Sequence, residues 1–197
     1  YFERLDPDIE RNTRAAVDVI RRLSAGTRNI DLPAAPDFSV LLAEAYEYHQ
    51  DYLADPANHS LYDPVTLERI TAAGSFSAAD YIDSRRQLEL ARRAIPATFE
   101  EVDLLVTPTV PVMPTRIENA EIPETATGAE STVRNTAPFN VFGIPTISVP
   151  CGLSRDGLPI GIQISGPKLG ELPMFALAHA FEQATNWHRM RPPTGAL

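Results

Sequence analysis

Cysteine, lysine and tryptophan are nearly missing from these 197 residues: the chain holds one of each, Cys151, Lys168 and Trp187. A single thiol excludes an internal disulfide and any Cys-rich zinc or iron–sulfur site, and it fits a reducing compartment such as the cytoplasm. No run of eighteen apolar residues occurs, so neither a transmembrane helix nor a membrane partner is expected. Residues 1–5 have neither a basic stretch nor an apolar core, so no targeting peptide is expected, and an opening Tyr1 in place of methionine suggests a chain begun in the middle. Positive charge is also short, with 17 Lys and Arg against 26 Asp and Glu for a formal charge of −9. That field repels phosphate backbones and anionic lipid. The pairs Arg21/Arg22, Arg85/Arg86 and Arg92/Arg93 sit among acids and read as solvated helix faces, so no nucleic-acid partner is expected.

Motifs that carry familiar chemistry are absent as well. His49, His59, His179 and His188 are scattered and none belongs to an HExxH pattern, so no metal is expected. Neither G-x-x-x-x-G-K-[ST] nor G-x-G-x-x-G occurs, which removes the usual phosphate cradles, and no cofactor is expected. There is no G-x-S-x-G elbow. Cys151 ends an apolar run without a histidine near it in sequence and reads as a small buried hydrophobe. Glu100 and Glu101 lie at a helix end, where solvation accounts for them.

What is present is an apolar fraction of 44%, enough for the core of one ordinary domain or a large piece of a bigger one. Residues 1–102 read as mainly helical. Asp6 as N-cap and Pro7 at the first helical position open a helix over 7–25, with Ile9, Thr13, Ala16, Val17, Ile20 and Leu23 on one face. Residues 27–32 alternate enough for a short strand, and a second helix over 37–54 would turn Phe38, Leu41, Leu42, Ala45, His49 and Tyr52 to one side. Asp63-Pro64 opens a third helix stopped by Gly74, and Ser77 with Asp80 resembles a capping box for a fourth that Pro96 ends. Residues 103–197 read as strands, a proline-rich loop, a hairpin and a closing helix. The strand at 103–108 runs into an exposed excursion or flexible cover over 108–129, not a core element, and a helical turn follows around 132–141. The runs 144–153 and 159–165 are bridged by Ser154-Arg155-Asp156-Gly157, a hairpin signal, before a helix over 171–185 with Met174, Leu177, Ala178 and Phe181 inward. No boundary between independent domains is visible, so residues 1–197 are read as one unit.

The segment Val133-Arg134-Asn135-Thr136-Ala137-Pro138-Phe139-Asn140-Val141-Phe142-Gly143-Ile144-Pro145-Thr146-Ile147-Ser148-Val149-Pro150-Cys151-Gly152 closely resembles the C-terminal part of the amidase signature family. Asp103-Leu104-Leu105-Val106-Thr107-Pro108-Thr109, the hairpin Asp156-Gly157-Leu158-Pro159-Ile160-Gly161-Ile162-Gln163 and Ala178-His179-Ala180-Phe181-Glu182-Gln183-Ala184-Thr185 with Trp187-His188 resemble it in the same order. The resemblance implies the C-terminal portion of a single amidase domain: an α/β protein, part of an α/β/α fold whose mixed sheet is covered by helices. It implies an enzyme that hydrolyses a carboxylic amide to acid and amine or ammonia. Its partners would be a small-molecule amide substrate and the N-terminal half of the same enzyme, with a homodimer as a further expectation.

In that family the chemistry belongs to a serine nucleophile, a second serine in a cis peptide and a lysine, all in a Gly- and Ser-rich N-terminal half. This chain has no Ser-Ser and no Gly-Gly, and Lys168, in Gly166-Pro167-Lys168-Leu169-Gly170, does not match the family's lysine. No catalytic residue is therefore assigned here, and the chain is expected to be inactive alone, since a tetrahedral intermediate needs an activated nucleophile and base. The resemblance instead suggests a wall of the substrate pocket made of Thr107, Pro108, Thr109, Asn135, Thr136, Phe139, Asn140, Gly143, Ile144 and Pro145. Phe139 and Ile144 also suit a core, and Asn140 suits the backbone groups of an irregular segment. Gln163 and Ser165 read as plain strand residues. Two alternatives stand beside the amidase: the amidase subunit of a tRNA-dependent amidotransferase, and a non-catalytic, amidase-derived binding module.

Overall fold

The computed structural model describes residues 1–37, 39–116 and 132–191. The chain divides into two compact units, one of residues 1–32 with 95–197 and one of residues 33–94.

In the first unit, helix α1 (Pro7–Leu23) begins as its sequence dictates: the Asp6 carboxylate accepts from the Asp8 N–H at 2.8 Å, and Pro7 occupies a first-turn position where no amide donor is needed. Ile9, Thr13, Ala16 and Ile20, spaced three and four apart, are buried. Strand β1 (Leu105–Pro108), short helix α5 (Ala137–Phe142), strands β2 (Thr146–Leu153) and β3 (Pro159–Ser165) and helix α6 (Glu171–Ala184) complete the unit. The sheet order is β1-β3-β2. Gly157, at φ +78°, closes the β2–β3 turn, where a left-handed residue is required. The core joins Ile9, Ala16 and Ile20 of α1, Val149 and Cys151 of β2, Ile160, Ile162 and Ile164 of β3, and Met174, Ala178 and Phe181 of α6. Asp8 fastens α1 to the hairpin turn, accepting from the Arg155 backbone N–H at 2.8 Å.

Three expectations need correction in this unit. No mixed sheet is present among the described residues, because β1 and β2 both run antiparallel to β3. Residues 27–32 form no strand; most are exposed and none pairs with a described strand. The stretch after Pro108 is no exposed excursion at its start. Pro108 and Pro111 are fully buried, Val110 and Met113 pack on the core, and the Pro111 carbonyl accepts from the Asp6 N–H at 2.9 Å. Its continuation over 117–129 lies outside the described residues.

The second unit holds α2 (Ser39–Leu53), α3 (Pro64–Ala72) and α4 (Ala78–Ala94). Asp63 caps α3, accepting from the Val65 and Thr66 N–H groups. Ser77 and Asp80 form the expected reciprocal box, each side chain accepting from the other's backbone N–H at 3.1 Å. The side expected of α2 is largely uncovered: Leu41, Leu42 and Tyr52 are 59%, 37% and 62% exposed, Ala45 and His49 are half-buried, and Val40, outside that set, is the buried residue of the helix. Phe38 lies outside the described residues. Local periodicity fixes which residues share a stripe, but a packing partner decides whether the stripe is covered.

Candidate functional site

Alternation along a strand sends successive side chains to opposite faces, and here the two faces differ in kind. Val106, Pro108, Ile147, Val149, Ile162 and Ile164 lie on the face that α1 and α6 cover. Thr107, Thr146, Ser148, Gln163 and Ser165 lie on the other, with Thr107, Gln163 and Ser148 aligned in one row across the three strands. Hydroxyls on this second face pair across strands. Thr109 Oγ1 and Ser148 Oγ are 2.7 Å apart, and Thr146 Oγ1 and Ser165 Oγ 2.9 Å. Gly161 lies beneath the first pair, where a Cβ would come within 2.6 Å of Ser148 Oγ and 2.9 Å of Thr109 Oγ1.

The edge of this polar face is built by residues 133–145, and a buried amide network ties that segment down. Asn135 is fully buried; its Nδ2 donates to the Pro108 carbonyl at 2.9 Å and the Tyr1 carbonyl at 3.2 Å. Gln163 is 2% exposed, and its Nε2 donates to Thr107 Oγ1 at 3.1 Å and to the Asn135 carbonyl at 3.2 Å. Phe139 packs behind, its ring 5.4 Å from that of Tyr1 and 6.5 Å from that of Phe142. Burial pushes the Tyr1 phenol up to about 12, so it stays neutral. Gly143, at φ +68°, ends α5 in a left-handed cap, and the Pro145 carbonyl accepts from the Gly166 N–H at 3.1 Å.

The structure therefore splits the ten candidate residues into two groups. Pro108, Asn135, Phe139 and Ile144 are buried, and Pro108 lies on the opposite side of the strand from its neighbours Thr107 and Thr109. Thr109, Thr136, Asn140, Gly143 and Pro145 keep some exposure, while Thr107 is buried in its bond with Gln163. Thr146 and Ser148, both exposed on this face, and the two bonds donated by the Gln163 amide are not among the sequence expectations. A signal exists: polar residues at 146, 148, 163 and 165 alternate with Ile147, Val149, Ile162 and Ile164.

The groups assembled here are hydroxyls, carboxamides and backbone carbonyls, which can hold a neutral polar ligand by donating and accepting but supply no activated nucleophile. Cys151 faces the apolar core, and burial pushes its thiol up to about 12. Among the described residues no group of three or more His, Cys, Asp or Glu could hold a metal ion. No described helix is long and apolar enough to cross a membrane. An open groove exists in the second unit, lined by Pro33, Pro36, Asp83, Gln87 and Leu90 among others, and contains none of the ten candidates.

Comparison with known proteins places this geometry. A family model described as "Amidase" matches residues 2–173. An "Amidase" from Pseudomonas putida is 31% identical over 205 residues, covering 98% of this chain and 42% of that protein. A glutamyl-tRNA(Gln) amidotransferase subunit from Cyanothece sp. is 29% identical over 221 residues, covering 98% and 45%. Among solved structures, 6-aminohexanoate cyclic dimer hydrolase superposes with a TM-score of 0.75 at 24% identity, covering 96% of this chain and 44% of that one. A bacterial aryl acylamidase of the amidase signature family gives 0.76 at 22% identity, covering 95% and 44%. These structural likenesses show the fold. The chain spans less than half the length of the relatives it matches. The expectation that it is the C-terminal portion is corrected accordingly: the matches identify a part of the family's domain without establishing that part as the C-terminal one.

Proposed function

The chain belongs to the amidase family, and from that premise we propose that the complete protein hydrolyses a carboxylic amide to acid and amine or ammonia without metal or cofactor. This chain would supply one wall of the acyl-side pocket, with Thr109, Thr136, Asn140, Gly143 and Pro145 toward the substrate and Thr107, Pro108, Asn135, Phe139 and Ile144 holding them from behind. The observation that carries the reading is the neutral polar sheet face joined to residues 133–145 by buried carboxamides. Such a surface suits an uncharged amide, whose carbonyl accepts and whose N–H donates.

The rest of the domain would bring the nucleophile and its base, with both units of this chain inside that one domain. In support, no Ser-Ser or Gly-Gly occurs in this chain, and its one lysine, Lys168, is exposed. The test is to express the complete reading frame and assay ammonia or amine release across a broad amide panel. Release by the complete protein and none by this chain is expected; a folded complete protein inert on the whole panel would sink the reading.

A second reading is favoured by the relatives named as amidotransferase subunits. It places the complete protein in a multi-subunit amidotransferase. Activity appearing only when the other subunits are added would select it. A third reading, a stand-alone binding module, calls for a cooperatively melting monomer in sedimentation, where the part-domain reading expects self-association into dimers.

A further inference from the structure

We infer that Gln163 is a positioning residue, holding residues 133–145 against the sheet through its bond to the Asn135 carbonyl rather than merely filling the core. The inference rests on the pocket-wall reading above only in calling that segment a wall. Gln163 is almost fully buried, and its side-chain amide donates to two acceptors that belong to different elements. One is Thr107 Oγ1, which the antiparallel register of β1 and β3 already holds opposite. The other is the main-chain carbonyl of Asn135, in an irregular segment that no strand pairing holds. A hydrogen bond therefore adds little order to Thr107 and much to Asn135, because strand pairing already fixes the first acceptor and not the second. Asn135 passes the constraint on: its own side chain donates to the Pro108 carbonyl, so Gln163, Asn135 and β1 form a closed ring of bonds. The ring lies next to the start of α5, where the Ala137 N–H donates to the Val133 carbonyl at 2.8 Å.

The test is residue-resolved hydrogen exchange on the full chain carrying Gln163→Met, which keeps length and burial and removes both donors. Exchange at Ala137 and Gly143 should quicken about tenfold or more, while Ile162 and Ile164 in the central strand stay within about threefold. Thr107→Val removes only the other acceptor and should leave Ala137 and Gly143 within about threefold. Trypsin cutting after Arg134 offers a second readout and should rise in Gln163→Met alone. Equal loosening of wall and central strand, outright unfolding, or no change at the wall would overturn the inference by making Gln163 an ordinary core residue. An inert amide panel would defeat the enzymatic reading and leave this exchange pattern untouched, so the two failures are distinguishable.

Discussion

The two faces of the three-stranded sheet share the same backbone and differ in what completes them. On one face Ile162, Ile164, Val149 and Cys151 meet α1 and α6 from the same chain, and water is excluded. On the other, Thr146 and Ser148 remain exposed beside the buried Gln163, and order comes from directional bonds. Apolar burial is nondirectional and stabilises by area, so that face is tied to the stability of the chain. The polar face contributes less net energy per contact but fixes positions.

The sharpest way to break this contrast is chemical. Cys151 is 3% exposed, and burial pushes its thiol up to about 12, so both access and thiolate are scarce in the folded chain. Labelling by a thiol reagent should therefore follow unfolding, and fast labelling of the native chain would show the covered face to be open. Next in size, Phe181→Ala should cost about 3–5 kcal/mol by emptying a fully buried site, read as a lower urea midpoint at unchanged slope. A loss below about 1 kcal/mol would mean that α6 does not seal the core.

A smaller effect belongs to the polar face. Gly161→Val places atoms where Thr109 and Ser148 meet and should cost about 1–3 kcal/mol. Adding Ser148→Ala should return part of that loss, and strict additivity of the two would contradict the close approach. Smallest is the attachment of α1. The backbone N–H of Arg155, then the side chain of Arg11, hold the Asp8 carboxylate below its ordinary 3.8. Because the folded value is depressed, the stability it contributes is present above 3.8 and is lost as pH falls through the folded value. Acid unfolding curves of Asp8→Asn and the parent should converge below that window and separate above it; parallel curves throughout would remove Asp8 from the account.

Much of the fold is legible in the sequence because its signals are local. Asp6-Pro7, Asp63-Pro64 and the Ser77/Asp80 box each place a helix start through bonds spanning two or three residues. The Asp-Gly turn between two alternating runs likewise places β2 and β3. The expectations that fail share another cause. Residues 27–32 have strand-like alternation but no described strand to pair with, and Leu41, Leu42 and Tyr52 share a helical stripe without burial. In the candidate site, Phe139 and Asn135 stand in one motif, yet only the structure shows both to be buried. Gln163 reads as a plain strand residue in sequence because the acceptor that distinguishes it, the Asn135 carbonyl, lies 28 residues away.

The sequence by itself determined the helix starts at Asp6-Pro7, Asp63-Pro64 and Ser77, the turn between β2 and β3 and the family, since each is written in neighbouring residues. Tertiary structure alone decided which face of the sheet is sealed, which candidate residues face outward and where Gln163 directs its two donors. Those outcomes depend on distances between segments far apart in the chain, and burial and hydrogen bonding are settled only when such segments meet.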